Sequence, residues 1–380
     1  TVMYRGRTTT VPSIENMATR TTIRDLVKVG TVKATVNIGI DEESAAAELR
    51  ALAEPLVPRR DDGIDESLSS FVTRRFGAGV LDYGFELMVN GVWAGDASRL
   101  SVQHAFPKLY ALERDYGSVL AGAVRARRAQ SGPRPQMFSF REGNGALPLA
   151  LAGGLADLRT RKAVKSIRRT EDGRWKIRNG VYDAVVITVG PSAFRKLDLV
   201  DAEPVDTSFF EDVFAPAVTV VTLGFRRADV GHPLDGFGMI APLVEGFDIL
   251  GALFTSSLFD GRAPAGHVSI ACFVGGTRRP DLAAISEEDR LGRVLVALRK
   301  ILEVRGEPVF VEQAVYPEAI PQYEVGYGRL LAQMDALEKA HRGLYVGGNV
   351  RQGVAVPDLV AAAVANAQRI QREFRAPNAA

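Results

Sequence analysis

The stretch GLYVGGNVRQGVAVPDL at residues 343–359 decides the fold of this chain. Its apolar residues Leu344, Tyr345 and Val346 are typical of a short buried strand, and the glycine pair that follows is typical of the turn at the end of a strand. Pro357 favours the first turn of a helix, where its missing N–H costs nothing. The stretch therefore predicts a strand, a glycine-rich turn and the start of a long helix.

The start of this helix is a candidate binding surface. Val354, Ala355 and Val356 have small side chains, so a ligand could approach the backbone N–H groups at the positive end of the helix. Such a surface suits a large, flat, electron-rich ring and would stabilise negative charge on a reduced flavin. The same pattern also describes an ordinary strand-turn-helix packing unit, and spacing alone leaves both interpretations open.

Composition limits the classes of protein to which the chain can belong. Its 380 residues can bury one large or two medium cores, and 46% hydrophobic and 24% charged residues indicate a globular protein. The formal net charge of +2 gives no reason to expect a nucleic-acid partner. The single cysteine, Cys272, excludes a disulfide framework, and its apolar neighbours predict a buried, inert thiol. No window has the ~18 apolar residues of a spanning helix, so we expect a soluble or peripheral protein.

The order of helical and strand-like patterns predicts a discontinuous domain. Residues 41–130 predict helices, the last of them continuous over 101–130. Residues 161–190 predict alternating strands followed by an unbroken apolar run, which suits a central strand of a parallel sheet. More strands follow over 215–275, and the chain then returns to the stretch at 343–359.

Several short motifs, taken in order, carry more information than any one of them. They are DESL at 65–68, FVTRRFG at 71–77, GVWAGD at 91–96, GFGMIAP at 236–242, LGALFTSS at 250–257, FVGG at 273–276, IPQYEVG at 320–326 and GVAV at 353–356. In this order the sequence closely resembles the oxygen-dependent, FAD-containing protoporphyrinogen oxidases of haem biosynthesis. That family opens with a G-x-G-x-x-G turn for the FAD pyrophosphate, which this sequence does not contain, so we expect a fragment without its amino-terminal segment.

The resemblance implies a fold of the α+β/α/β class, that of the amine oxidase-like, FAD-linked oxidoreductases. It would combine a discontinuous Rossmann-type FAD domain, a mixed-sheet substrate domain and a helical membrane-associated domain. The implied boundaries are 1–12 for a substrate-domain hairpin, 13–130 for the helical domain, 131–200 and 319–380 for the FAD domain, and 201–318 for the β-rich substrate domain.

The resemblance also implies which residues form the site. The residues implied to bind the cofactor are Val164, Gly348, Asn349, Val354, Ala355 and Val356, the glycine and asparagine through their backbone. The residues implied to bind the substrate are Gly91, Ile240, Leu253 and Phe273. Without the resemblance, Gly91 is read as part of a turn, and the apolar residues as ordinary core positions. Gln322 and Tyr323 either lie near the flavin or belong to a turn.

No residue is assigned as catalytic and no metal site is expected. The four histidines have no partner at ligand or triad spacing: His104, His232, His267 and His341. The implied reaction is hydride transfer from a bridging carbon of the tetrapyrrole to FAD, in three rounds that remove six electrons, with dioxygen reoxidising the flavin to give hydrogen peroxide. Such a reaction needs orientation more than acid–base catalysis.

Three other functions stay open. A coproporphyrinogen III oxidase of the same fold would need more cations for four carboxylates. Another flavin amine-oxidase-like enzyme, such as a carotenoid desaturase, is disfavoured by the motifs at 91–96 and 273–276. A non-catalytic tetrapyrrole-binding fragment would fit the missing dinucleotide motif.

The resemblance implies porphyrinogen, dioxygen and a membrane surface as partners, without nucleic acid. We expect a cytoplasmic protein that is peripheral on the inner face of the cell membrane. The basic helix end at Arg125, Arg127 and Arg128 would contact anionic lipid, or is simply a solvated helix end. Whether the protein forms a homodimer stays open.

Overall fold

The structure is a computed structural model that describes residues 2–4, 26–28, 53–60, 62–129, 138–242 and 245–374. The chain divides into two compact units. Unit 1 is drawn from Thr1–Thr10, Arg159–Ala215 and Glu318–Ala380, and unit 2 from Val11–Leu158 and Pro216–Pro317. The boundaries predicted at residues 130 and 200 lie inside these units, and the five-part division stays a prediction.

Strands and helices alternate irregularly along the chain. The strands are β1 (Val2–Tyr4), β2 (Leu26–Lys28), β3 (Phe138–Phe140), β4 (Ser166–Arg169), β5 (Trp175–Ile177), β6 (Gly180–Tyr182), β7 (Ala184–Ile187), β8 (Asp198–Asp201), β9 (Glu203–Pro204), β10 (Val218–Arg226), β11 (Gly238–Ile240), β12 (Gly251–Leu253), β13 (His267–Gly275), β14 (Phe310–Tyr316) and β15 (Leu344–Val346). The helices are α1 (Leu68–Phe76), α2 (Ala78–Val80), α3 (Glu86–Trp93), α4 (Val102–Ala105), α5 (Pro107–Tyr116), α6 (Val119–Ala129), α7 (Ala146–Gly153), α8 (Pro191–Arg195), α9 (Thr255–Leu258), α10 (Pro280–Ala284), α11 (Glu287–Leu302), α12 (Tyr327–Ala340) and α13 (Val356–Phe374).

The described residues of unit 1 form two sheets. In the first, of order β1-β7-β15, the central strand β7 runs antiparallel to β1 and parallel to β15. All residues of β15 are buried, which confirms the short buried strand predicted at 344–346. The unbroken apolar run that was predicted as a central strand contains β7. This strand is the middle one of the sheet and runs parallel to β15, which confirms the prediction of a central strand. The turn of the hairpin predicted over 1–12, at Arg5 and Gly6, lies outside the described residues.

The second sheet of unit 1 has the order β6-β5-β4-β8-β9. Strand β4 pairs antiparallel with β5 and parallel with β8. Trp175 on β5 is fully buried, and its Nε1 donates a hydrogen bond to the Arg342 carbonyl at 3.0 Å. This large buried side chain therefore fixes the second sheet to the residues that lead into β15.

Glu338 on α12 connects the elements around β15. Its Oε1 accepts hydrogen bonds from the Val346 N–H at 2.8 Å and from Arg351 Nη1 at 2.6 Å. Its Oε2 accepts a hydrogen bond from Arg369 Nη1 on α13 at 2.7 Å. Strand β15 lies at the edge of the described sheet, so no further strand pairs with its outer side. The Glu338 carboxylate therefore takes the place of a strand as the partner of the Val346 N–H.

Unit 2 is centred on a five-stranded sheet of order β11-β12-β13-β10-β14, in which every described pairing is antiparallel. One face of this sheet forms a buried core with α11, with fully buried side chains at Leu223, Ile270 and Leu298. Cys272 belongs to the same core, and burial raises the pKa of its thiol to about 12. The predicted burial of this thiol is confirmed, and its inertness stays a prediction.

The helical part of unit 2 differs from the prediction of one helix over 101–130. Three helices, α4, α5 and α6, occupy this range. Pro107 begins α5, and a proline disfavours helical geometry at the residue before it, so α4 ends at Ala105 and Phe106 is not helical. Gly117 ends α5 with a φ of +73°, and the Ser118 hydroxyl accepts the N–H of Ala121 at the start of α6. The single helix was therefore wrong. Predicted helical residues 41–52 lie outside the described chain.

A buried ion network holds these helices together. Arg75 on α1 has no exposed surface, and its Nε donates a hydrogen bond to Glu54 Oε1 at 2.6 Å while its Nη1 donates to Glu113 Oε1 at 3.1 Å. Burial alone would raise the pKa of Glu54, but hydrogen bonds from Ser118, Val119, Leu120 and Arg75 outweigh it and lower the pKa. The carboxylate therefore stays charged inside the helical part.

Within the described residues, no helix is long and apolar enough to cross a membrane.

Candidate functional site

The strand-turn-helix predicted at 343–359 is present in unit 1. Strand β15 ends at Val346, a loop occupies residues 347–353, and α13 begins at Val356. Gly348 and Gly353 have φ values of +90° and +96°, which only glycine adopts without strain. A Cβ at Gly353 would also lie 3.0 Å from the Cβ of Asp358. The glycines therefore let this loop fold back tightly before the helix.

The start of α13 has the donors that would suit a flavin ring. Within the described part of the chain, the N–H groups of Ala355 and Val356 donate no hydrogen bond, as expected for the first turn of a helix. The Val356 side chain is 58% exposed, and Val354 is half-buried. Helix α13 has 19 residues, so its positive end lies at this surface, with Asp358 as the acidic residue of its first turn. Available donors and small side chains fit the edge of a flat, electron-rich ring.

Five of the six predicted cofactor residues lie in this one segment, where Gly348 and Asn349 are half-buried in the loop. Val164 does not belong to it. The prediction placed Val164 in a strand, but β4 begins only at Ser166, so that position was wrong. The physical reason is the left-handed φ of +54° at Arg161, which turns the chain just before Val164. Contact of Val164 with the cofactor stays a prediction.

The predicted substrate residues of unit 2 meet on one face of its five-stranded sheet. Ile240 is paired with Gly251, and Gly251 is paired with Phe273, so these three positions form one row across β11, β12 and β13. Leu253 lies two residues beyond Gly251 and therefore points to the same side. This face is opposite to the core that contains Cys272.

The composition of this face is apolar. Ala271 and Val220 occupy it beside Phe273, through the pairing of β13 with β12 and β10. Ile240 is 40% exposed, and Leu253 and Phe273 are half-buried, so the sheet-core interpretation of these side chains does not hold. The positions of these rows on β11, β12 and β13 are uncharged, while Glu312 on the edge strand β14 ends the row that contains Leu253. The face can therefore accept a large apolar ring.

Gly91 lies beside the same face but not in a turn. It belongs to the last turn of α3, which continues to Trp93 and ends at Ala94 with a φ of +47°. The turn expected at Gly91 was therefore wrong, because the left-handed residue comes three positions later. A Cβ at Gly91 would lie only 2.8 Å from Cδ1 of Ile240, so glycine permits the helix to approach the sheet.

Hydrogen bonds hold α3 against the end of β13. The Thr277 N–H donates to the Ala94 carbonyl at 2.8 Å, and Arg278 Nη2 bonds to Glu86 Oε1 at 2.7 Å. Arg278 also contacts Asp96 at 3.2 Å, and hydrogen bonds from Ser98 and the charge of Arg278 lower the pKa of Asp96 despite its burial. These contacts fix Gly91 relative to Ile240 and Phe273.

The histidines occupy separate positions. His341 Nδ1 lies 2.7 Å from Asp201 Oδ2 in unit 1, and burial lowers the pKa of His104 in unit 2, with Asp65 opposing the effect. Within the described ranges, no cluster of histidine, cysteine, aspartate and glutamate side chains could hold a metal ion.

Tyr327 is a residue that the sequence analysis missed. Its hydroxyl group contacts the glycine loop, and its spacing of four residues from Tyr323 was the signal that could have indicated it.

Comparison with known proteins identifies the family. The profile described as "flavin containing amine oxidoreductase" matches residues 4–371. The chain belongs to the flavin-containing amine oxidoreductases. The mitochondrial protoporphyrinogen oxidase of Nicotiana tabacum is 31% identical over 353 residues, which cover 82% of this chain and 70% of that protein. The coproporphyrinogen III oxidase of Bacillus subtilis is 26% identical over 330 residues, which cover 83% of this chain and 70% of that protein.

The fold of this flavin-containing amine oxidoreductase agrees with solved structures. A crystal structure from Exiguobacterium sp. 255-15, provisionally assigned as a protoporphyrinogen oxidase, superposes with a TM-score of 0.74 at 23% identity and covers 92% of this chain and 82% of that chain. The family profile and the curated relatives confirm the resemblance to the protoporphyrinogen oxidase family and the cofactor FAD, and the solved structure agrees with the amine oxidase-like fold. That the start of α13 and the backbone of Gly348 and Asn349 hold the cofactor stays a prediction.

Proposed function

We propose that this flavin-containing oxidoreductase converts protoporphyrinogen IX to protoporphyrin IX. When bound, FAD supplies the hydride-accepting chemistry: three rounds remove six electrons, and three molecules of dioxygen leave as hydrogen peroxide. The observation that carries the proposal is the uncharged face on β11, β12 and β13. Its residues would bind one side of the macrocycle by apolar contact, and Phe273 would stack on it.

The residues of the chain would bind and orient the substrate rather than transfer protons. The apolar face excludes water from the ring, and Gly91 lets α3 close over Ile240. Val354, Ala355 and Val356 would hold the flavin at the start of α13.

Coproporphyrinogen III is the second candidate substrate, because the Bacillus subtilis relative carries that activity in its name. It has four carboxylates where protoporphyrinogen IX has two. The described rows that contain Ile240, Leu253 and Phe273 offer no cation, which favours the substrate with fewer charges.

A porphyrin-fluorescence assay on the full-length protein with the two porphyrinogens side by side tests the proposal. We expect faster porphyrin formation from protoporphyrinogen IX. A preference for coproporphyrinogen III would support the second candidate. Tight porphyrin binding without turnover of either substrate would support the non-catalytic alternative and contradict the proposal.

Substitution tests the apolar face directly. Phe273→Ala should lower kcat/KM about tenfold, because a buried aromatic contact is lost. Phe138→Ala is the matched control, since Phe138 lies on β3, outside this sheet, and is 58% exposed. Equal effects of the two substitutions would show that the apolar face does not bind substrate.

We also propose that the protein acts at an anionic membrane surface. Arg125, Arg127 and Arg128 are exposed on α6, where each could gain about 1 kcal/mol from anionic lipid. The full-length protein should float with anionic liposomes at low salt and not with neutral ones. Flotation that survives replacement of all three arginines by glutamine would contradict a role for this helix.

A further inference from the structure

Two stacked tyrosines lie beneath the glycine loop of unit 1. Tyr323 precedes α12 and Tyr327 is its first residue, and their ring centroids are 4.4 Å apart with an interplanar angle of 27°. The two residues are only 4% and 3% exposed. A buried phenol normally requires a hydrogen-bond partner, so the hydroxyl groups indicate what this pair does.

Both hydroxyl groups bond to the backbone of the loop at 347–353. The Tyr323 hydroxyl donates to the Asn349 carbonyl at 2.6 Å and accepts the Gly353 N–H at 3.0 Å. The Tyr327 hydroxyl donates to the Val350 carbonyl at 2.7 Å. Three backbone groups of one short loop are therefore paired by two side chains.

The loop needs such partners because it has neither helical nor strand pairing for these groups. Gly348 and Gly353 adopt left-handed conformations, and the residues between them belong to neither helix nor strand. Burial raises the pKa of Tyr323 to about 12, with the Gly353 N–H opposing the effect, so the phenol keeps its proton at neutral pH. It can therefore act as a donor over the whole physiological range.

We propose that Tyr323 and Tyr327 are positioning residues that set the conformation of the loop at 347–353 and thereby place the start of α13 against the flavin. The inference rests on the flavin placement in the proposed function. Both tyrosine hydroxyl groups bond to the backbone of the loop. They act through Asn349, Val350 and Gly353, which connect β15 to α13.

Removing the hydroxyl groups while keeping the rings tests this inference. In the full-length apoprotein, Tyr323→Phe should raise the Kd for FAD about tenfold, since two hydrogen bonds are lost, and Tyr327→Phe about threefold. FAD titration is followed by flavin fluorescence. The visible circular dichroism of the bound flavin should change in both variants, because the ring would meet a displaced loop.

Tyr345→Phe is the matched control. Tyr345 is equally buried in the same unit, but its hydroxyl bonds to Glu373 in the last turn of α13 and not to the loop. Thermal unfolding of the three apoproteins compares the cost of losing a buried hydroxyl. The inference predicts similar losses of stability, with weakened FAD binding and an altered flavin spectrum in the two loop variants alone.

The outcomes separate this inference from the proposed function. Wild-type affinity and spectrum in both loop variants would overturn the positioning role and leave the proposed function intact. An equal loss of affinity in Tyr345→Phe would also overturn it, since stability and not the loop would then govern binding. Failure of the wild-type full-length protein to bind FAD would overturn the flavin placement, and the inference with it.

Discussion

Replacing Arg75 by methionine should strongly destabilise the helical part of unit 2. The substitution removes the cation from Glu54, which is fully buried, and from Glu113, which keeps its second bond to Arg74 at 2.8 Å. Breaking a buried ion pair by removing one partner costs about 3–5 kcal/mol. The Val57 and Gly117 carbonyls also lose donors at 2.9 and 3.0 Å. We therefore expect the free energy of unfolding to fall by about 4 kcal/mol, a large part of the ~5–15 kcal/mol of a typical domain.

Urea denaturation followed by far-UV circular dichroism measures this loss. The matched control is Arg114→Met, since Arg114 pairs with Asp115 at 2.7 Å but the two side chains are 60% and 47% exposed. An exposed pair should contribute less than about 1 kcal/mol. The double variant with Glu54→Gln should lose less than the sum of the two single losses, because the residues share one interaction. An effect of Arg75→Met no larger than that of the control would refute the reasoning.

Three further predictions concern other positions. The pKa of Glu54 is lower in the folded protein than in the unfolded chain. The charged carboxylate therefore stabilises the fold fully above the unfolded pKa, and this stabilisation is lost as pH falls through the folded pKa. The urea midpoint of unfolding should decline below about pH 5, and less steeply in Glu54→Gln. The Cys272 thiol should resist a thiol reagent at pH 8 until urea unfolds the protein, and rapid native-state labelling would contradict its burial. Gly91→Val should raise the KM for porphyrinogen severalfold. Gly91→Ala should raise it less, because the single methyl group of alanine requires only a shift of Cδ1 of Ile240. Equal KM values for the wild type and both variants in the porphyrin-fluorescence assay would show that α3 does not shape the site.

Sequence patterns predicted elements where several local signals agree. The stretch at 343–359 combines an apolar strand, a glycine-rich turn and a proline in the first turn of a helix, and the structure confirms each of them. Over 101–130 the apolar spacing continued through two breaks, and Pro107 and Gly117 were the competing signals that decided the structure. Periodicity alone is insensitive to a break when the same helix face remains apolar on both sides.

The candidate site was less accessible to sequence reasoning than the fold. Alternation assigns Ile240, Leu253 and Phe273 each to a face of its own strand, but only the register between strands places them in adjacent rows. The glycine of GVWAGD suggested a turn, although Gly91 lies in a helix because it must pack closely. The resemblance to a family supplied these residues, and the pairing of the strands supplied their arrangement.

The bonds of Glu338 have a consequence for local opening. One carboxylate accepts hydrogen bonds from the Val346 amide, from Arg351 in the loop and from Arg369 on α13. Releasing the Val346 amide to water therefore loosens the anchor of the loop and of the helix at the same time. In deuterium exchange, the amides of Val346 and Gly353 should become labelled together, at a common opening free energy, as members of one cooperative segment.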